Sequence, residues 1–307
     1  MGARVVGDRA RAYARVVSAI TWDQRPNLRR PFLIAAFEGW NDAADASTAA
    51  ARWLIRRFSG TRCATIDADE SIDLQSTRPL VSLIDGVIRT IEWPHNDCYA
   101  VTVPGAARDL VVVISVEPNY GWRRYCADVL EVAHETGCEL VVTLGALLAD
   151  VPHTRALPVT GTATDDELIG RLHLERSRYE GPTGIVGVLH DACRRASIPS
   201  ASLWASVPHY VASPPNPVAT LALLDRLGAL TGVPVDRDEL GTLAGAWRRR
   251  VDELVGEDAE IGDYVRRLEE QADEEHHGIT VELDVSGDEL AAELERYLRE
   301  QHDGHDE

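Results

Sequence analysis

Short apolar segments recur along the chain, and segments with helical periodicity separate them. Each apolar segment lacks the alternation of a half-exposed strand, so it predicts a strand buried on both faces of a sheet. The predicted strands are residues 31–37, 61–68, 109–116, 139–148 and 200–207, and the predicted helices are residues 43–58, 121–136, 184–197 and 215–231. Buried strands that alternate with helices are typical of the α/β class. The pattern therefore predicts a mostly parallel sheet with helices on both faces.

Residues 78–103 break this alternation. The segments "PLVSLIDGVIRTIEW" and "CYAVTVP" read as antiparallel strands, with a turn at Asp85-Gly86. The sheet is therefore predicted to be mixed. Its centre is expected to hold residues 32–37, 110–116 and 140–144 side by side, which would gather the loops that follow them at one edge.

The chain changes character near Val235, where apolar segments give way to charged helical patterns at about 238–255, 258–275 and 287–301. We predict an α/β domain at 1–235 and an acidic helical extension at 236–307, with the final residues "HDGHDE" disordered. The apolar positions Ile261, Val265, Leu268 and Ala272 recur at helical spacing. They must pack on the parent domain or on a neighbouring subunit, and the sequence leaves both open.

The net charge of −19 is concentrated at the C-terminal end. Residues 257–307 hold 19 Asp and Glu against four Arg, which gives −15 and leaves about −4 for the rest of the chain. Such a surface repels nucleic acid and anionic membranes, so neither is an expected partner. An odd count of five cysteines without a CxxC pair favours free thiols in a reducing cytoplasm, and no apolar run is long enough to span a bilayer.

The segment "FEGWNDA" holds the first group of candidate site residues, at the end of the first buried strand. Asn41 or Asp42 is expected to cap the following helix, and Gly39 frees the backbone for the turn. Local structure therefore explains this corner better than a ligand does, although it leaves Glu38 and Trp40 without a role.

Three further loops hold polar residues that the sheet is expected to bring to the same edge. A turn opens a helix at "EGPTG", a loop of about 20 residues with little regular pattern covers 145–165, and a proline-rich loop covers 206–217. The candidate residues in these loops are Glu180, Gly181, Thr183, Gly184, His153, Arg155 and His209. Salt bridges or subunit contacts explain His153 and Arg155 as well as substrate polarisation does.

Known catalytic signatures do not occur. The chain has no G-x-S-x-G, no Walker loop and no HExxH, and His276 and His277 lie in the acidic extension, where solvation is the favoured interpretation. No metal and no cofactor are predicted.

Four segments occur in the order of a known family: "FEGWNDA", "GALLADVPHTR", "YEGPTGI" and "SLWASVPHYV…PPNP". As a set they resemble the proteasome assembly chaperone type family, and its actinobacterial branch in particular, over residues 30–232. The resemblance implies a phosphorylase/hydrolase-like three-layer α/β/α sandwich with a mixed sheet and a C-terminal helical appendage. It also implies self-association, with a homotrimer in this branch, and contacts with proteasome subunits. It supplies no catalytic residues.

Two functional hypotheses follow. The first is a cytoplasmic, non-enzymatic, homo-oligomeric binding protein with a chaperone-like role. The second is a hydrolase or nucleoside-phosphorylase-like enzyme with its site at the strand carboxyl ends. Its candidate groups are Glu38 or Glu180 as acid and base, His153 and Arg155 for polarisation, and the amides of Thr183 and Gly184 for an oxyanion. One enclosed pocket lined by these groups would favour the enzyme, and their separation would favour the binding protein.

Overall fold

Strands and helices alternate along most of the chain. The structure, a computed structural model, describes residues 19–84, 88–163, 165–172, 174–176 and 180–278. The strands are β1 (Ile20–Trp22), β2 (Phe32–Glu38), β3 (Thr61–Ile66), β4 (Leu80–Ile84), β5 (Ile88–Glu92), β6 (Asn96–Val101), β7 (Leu110–Val116), β8 (Leu140–Ala149), β9 (Val159–Ala163), β10 (Glu175–Arg176) and β11 (Ser200–Pro208). The helices are α1 (Ala46–Arg57), α2 (Trp122–Glu135), α3 (Asp166–Leu172), α4 (Ile185–Arg195), α5 (Pro217–Thr231), α6 (Asp238–Glu257) and α7 (Ala259–Gly278).

One mixed sheet organises these elements, in the strand order β1-β3-β6-β7-β2-β8-β11-β9-β10. Its four central strands, β7, β2, β8 and β11, are parallel, and the strands that flank them are antiparallel to their inner neighbours. The three segments expected at the centre are neighbours, since Ile34 pairs with Val112 on one side and with Val142 on the other. The predicted α/β fold, with a mixed sheet and helices on both faces, is confirmed.

The apolar composition of β2 reflects burial on both faces. Phe32, Ile34 and Ala36 pack with the α1 and α5 side chains, while Leu33 and Phe37 pack with those of α2 and α4. In α1, the predicted apolar side is buried as expected, at Ala46, Ala50, Trp53 and Leu54. On the opposite face, His190 links α4 to the sheet through Thr143 (3.0 Å) and Ser200 (2.8 Å). Burial lowers the pKa of His190 to about 4, so this link is made by a neutral imidazole at neutral pH.

Two sequence-based predictions are corrected. The segment 145–165 is not one long irregular loop, because β8 extends to Ala149 and β9 pairs antiparallel with β11. Pairing with a neighbouring strand supplies the order that the short "VTGTA" segment does not signal locally. The strands of 78–103 do not all join the sheet either. Only β6 does so, while β4 and β5 pair with each other as a separate two-stranded hairpin.

The acidic helices pack on the parent domain within one chain. Leu240 and Ala244 of α6 belong to the same core as α5, and Val265 and Leu268 of α7 are buried. The division at residue 235 stays a prediction. The Asp85-Gly86 turn, the helix expected at 287–301 and the side chains of His276 and His277 lie outside the described residues. Among the described helices, none is both long and apolar enough to cross a membrane.

Candidate functional site

The corner after β2 is held by Asp42. Its carboxylate accepts hydrogen bonds from the backbone N–H (2.7 Å) and hydroxyl (2.6 Å) of Ser47, and from the N–H (3.2 Å) and hydroxyl of Thr48. These donors belong to the first turn of α1. The N-cap position of α1 is Asp45, and not Asn41 or Asp42 as predicted, so the Asp42 carboxylate caps the helix from three positions further back in the chain. Burial raises the pKa of the Asp42 carboxyl above its ordinary value, although the four donors act in the opposite direction. Gly39, at φ 123°, makes the turn possible.

Asn41 and Trp40 complete this corner. Asn41 is 2% exposed, and its backbone carbonyl accepts a hydrogen bond from Ala146 on β8 (2.9 Å). Its side-chain amide has no hydrogen-bond partner among the described residues. Trp40 is half-buried. The backbone of Asn41 thus ties the corner to β8, and the carboxylate of Asp42 ties it to α1.

Glu38 points to the α1 side of the sheet, where it forms an ion pair with Arg52. The pair borders an open cleft of about 450 Å³ between α1, the β4–β5 hairpin and the ends of β6 and β7. The lining residues include Arg56, Arg78, Trp93 and Tyr99. Cationic, aromatic and apolar groups therefore meet here, and Glu38 is the only residue among the predicted candidates that lines this cleft.

Glu117, which sequence reasoning missed, occupies the opposite side of the same edge. It follows β7, and its Oε1 accepts a hydrogen bond from the N–H of Ile185 (3.1 Å) in the first turn of α4. Burial raises the pKa of this carboxyl. A Cβ on Gly184 would lie 3.0 Å from that oxygen, and one on Gly39 would lie 3.5 Å from the Glu117 Cβ. Glu117 thus joins "EGWND" to "EGPTG", and both glycines leave room for it.

The remaining residues of "EGPTG" are solvent-exposed. Glu180, Gly181 and Thr183 are all exposed, and the Thr183 side chain packs over Gly187 of α4. Gly184 is extended and provides no side-chain cap, so Glu117 satisfies the helix end instead. The signal that would have found Glu117 is its position, because it follows a buried strand just as Glu38 ends one.

His153 and Arg155 face the acidic helices. The backbone N–H of His153 donates to the Tyr210 hydroxyl (2.8 Å), which also lies 2.7 Å from its Nδ1, while Nε2 lies 3.0 Å from the Asp252 carboxylate of α6. Arg155 binds both oxygens of Asp273 on α7 (2.7 Å each) and also contacts Glu269 (3.3 Å). The hydrogen bonds that Arg155 donates to Asp273, together with the negative charge of Asp273, raise the pKa of the Arg155 guanidinium. Both side chains therefore hold the extension.

His209 belongs to the same contact. Its Nδ1 lies 2.9 Å from the carboxylate of Asp150, which also accepts a hydrogen bond from Tyr264 of α7 (3.0 Å). The Tyr264 ring meets the rings of His209 and Tyr210 edge-on. We call this surface the helix platform, and define it as Asp150, His153, Thr154, Arg155, His209 and Tyr210.

Six of the twelve candidate residues fall into three separate groups, while Trp40, Asn41 and Asp42 form the corner after β2 and Glu180, Gly181 and Thr183 are exposed. Glu38 lies with Arg52 on one face of the sheet, Gly39 and Gly184 meet Glu117 on the other, and His153, Arg155 and His209 belong to the helix platform. Burial raises the pKa of the Cys63 thiol to about 11 and that of the Cys193 thiol to about 12, so both thiols are protonated at neutral pH. Among the described residues, no group of His, Cys, Asp and Glu side chains is arranged to hold a metal ion.

Comparison with known proteins defines the family. The sequence model of the PAC2 family matches residues 36–255, so the chain belongs to the PAC2 family. A crystal structure of a PAC2 family protein from Streptomyces avermitilis is 50% identical, with a TM-score of 0.72, and covers 76% of this chain and 99% of its own. A proteasome-assembly chaperone homologue from Mycobacterium tuberculosis is 44% identical, with a TM-score of 0.70 and the same coverage.

A more distant likeness concerns the fold alone. A Pyrococcus furiosus archaeal proteasome activator is 19% identical, with a TM-score of 0.62, and covers 76% of this chain and 97% of its own. Among curated proteins, none matches the chain. The resemblance to the proteasome assembly chaperone type family and to its actinobacterial members is thus confirmed.

Proposed function

We propose that the chain is a homo-oligomeric, chaperone-like binding protein that contacts proteasome subunits and works without catalysis. We propose that the assembly is a trimer and that it is located in the cytoplasm. The single observation that carries this proposal is the apolar surface of the hairpin formed by β4 and β5, which we call the exposed hairpin.

The exposed hairpin carries large apolar side chains on a two-stranded sheet. These side chains are Leu80, Val81, Leu83, Ile84, Ile88 and Ile91, and each is between 49% and 67% exposed. The two strands pair only with each other among the described strands. The register places Val81, Leu83 and Ile91 on one face of the hairpin and Leu80, Ile84 and Ile88 on the other. An isolated two-stranded hairpin is at best marginally stable in water, and exposed apolar surface of this kind marks sites of protein contact. The hairpin therefore requires a partner surface, and a second copy provides one.

The arrangement of the candidate residues also supports binding over catalysis. Glu38 is paired with Arg52, while His153 and Arg155 are bonded to α6 and α7. The groups that a hydrolase would bring together thus have separate internal partners. The Mycobacterium tuberculosis relative is a proteasome-assembly chaperone homologue, and this similarity supports proteasome subunits as the second class of partner.

The mass of the full-length chain in solution tests the homo-oligomer. Light scattering is expected to give three times the chain mass of 33.7 kDa. Leu83→Ser combined with Ile91→Ser removes two apolar side chains from one face of the exposed hairpin, and this variant is expected to elute as a monomer. The matched control is Leu243→Ser with Leu254→Ser on α6, where the side chains are 50% and 52% exposed. This control should keep the mass of the parent, whereas a monomeric parent would contradict the proposal.

A further inference from the structure

The helix platform and α7 recognise each other through a charged face. Arg155 binds Asp273 with two parallel hydrogen bonds and also contacts Glu269, and the Thr154 hydroxyl donates to Glu269 (2.5 Å). Glu269 and Asp273 are four residues apart, so they project from the same side of the helix. A planar guanidinium that binds a carboxylate through two bonds recognises geometry as well as charge.

An apolar seam completes this face of α7. Val265 and Leu268 are 5% and 4% exposed, and the Tyr264 ring packs against His209 and Tyr210. Tyr264, Leu268 and the two carboxylates follow helical spacing. The contact has the form of an amphipathic helix laid on a complementary surface, a recurring mode of peptide recognition.

A single residue connects α7 to the rest of the fold. α6 ends at Glu257 and α7 begins at Ala259, and only Asp258 lies between them. Its carboxylate accepts hydrogen bonds from the N–H groups of Glu260 (2.9 Å) and Ile261 (3.3 Å), which caps α7. α6 has its own anchor on α5 through Leu240 and Ala244. α6 and α7 also contact each other. The release of α7 as a unit would therefore need a backbone change only at Asp258, together with the loss of the contacts that α7 makes with α6 and with the helix platform.

The helix platform and α7 differ in whether the match to the PAC2 family model includes them. The helix platform lies inside the family match of residues 36–255, whereas α7 lies beyond it. The polar contacts are also partly open to solvent, since the side chains of Arg155 and Asp273 are 39% and 51% exposed. Ion pairs of this kind are screened by salt and exchange readily.

We propose that the helix platform is a binding site for an acidic amphipathic helix, which α7 fills within one chain and which α7 of a second copy fills when the intramolecular contact opens. This inference rests on the proposed homo-oligomeric binding function and adds a second contact between copies. The exchanged helix makes the same hydrogen bonds and buries the same seam, so the second copy needs no new complementary surface.

A labelled peptide of residues 259–278 tests the binding site. In the full chain, Glu269→Gln with Asp273→Asn weakens the intramolecular contact and opens the platform. We expect this variant to bind the peptide at least tenfold more tightly than the parent, in which tethered α7 competes at high effective concentration.

Glu270→Gln with Glu274→Gln makes the same change of charge at exposed positions of α7 and should behave as the parent. Adding Arg155→Gln to the open variant should weaken binding at least tenfold. Equal affinity for all variants, or no binding to any, would overturn the proposal.

Disulfide formation between two chains tests whether α7 is exchanged between copies. One chain carries Thr154→Cys and a second carries Glu269→Cys, and the two are mixed under oxidising conditions. We expect a covalent dimer, and we expect a chain with both substitutions to close internally as well. Internal closure without a dimer would overturn the assignment to a second copy. These substitutions leave the exposed hairpin unchanged, so failure here is distinct from failure of the mass measurement.

Discussion

Gly145→Ala is expected to lower the free energy of unfolding by about 3 kcal/mol, because it forces a methyl group into a closed packing contact. Gly145 lies in β8 opposite Trp204 of β11. A Cβ at this position would lie 2.5 Å from Cζ3 and 2.8 Å from Cδ2 of the indole ring. The neighbours Leu144 and Ala146 are fully buried, so the strand cannot shift to relieve the contact. Urea denaturation of the parent and the variant measures the loss.

Two controls separate this contact from a general effect of alanine. Gly170→Ala, in α3, meets open space and should raise stability by about 0.5 kcal/mol, since alanine favours helix over glycine. Trp204→Leu removes the ring, so Gly145→Ala on that background should cost about 2 kcal/mol less than it does in the parent. Equal costs on both backgrounds would show that the indole ring is not the reason for the glycine.

Asp42→Ala is expected to lower the free energy of unfolding by about 3 kcal/mol, because it leaves buried donors of α1 without an acceptor. The carboxylate of Asp42 is the shared acceptor of two backbone N–H groups and two hydroxyl groups, from Ser47 and Thr48. It is 5% exposed, so water cannot replace it easily. Thermal and urea unfolding check this value.

Asp42→Asn is the matched control. The amide oxygen keeps an acceptor for the helix N-terminus, and the neutral group avoids the burial cost that raises the pKa of the aspartate. We therefore expect a loss of about 1 kcal/mol, well below that of the alanine variant. If both variants lost the same amount, the negative charge and not hydrogen bonding would be the main contribution of Asp42.

The sheet could be predicted because its signal is local. In β2, β7 and β8 almost every residue is apolar, which reflects burial on both faces and is visible without knowing the neighbours. β9 gave no such signal, because its five residues gain their order from pairing with β11. The strands that are buried on both faces could thus be predicted from the sequence. β9 was missed because its order depends on pairing with a neighbouring strand.

The candidate site could be predicted only in part, because the face on which a side chain lies depends on register. Glu38 of β2 aligns with Val116 of β7, so Glu117 is one position further on and points to the opposite face. The sequence therefore predicted which edge of the sheet holds these residues. It did not separate the residues on one face of the sheet from those on the other. The role of Arg155 depends on Asp273, 118 residues away, and no local pattern encodes that contact.

We propose that this PAC2 family chain acts by binding proteins through the exposed hairpin. Native mass spectrometry of the full-length chain mixed with the α-subunits of an actinobacterial proteasome tests this claim. We expect a complex that contains both proteins, that is lost with Leu83→Ser and Ile91→Ser, and that persists with Leu243→Ser and Leu254→Ser. No complex with any of the three chains, or a complex that the hairpin variant leaves unchanged, would contradict the claim.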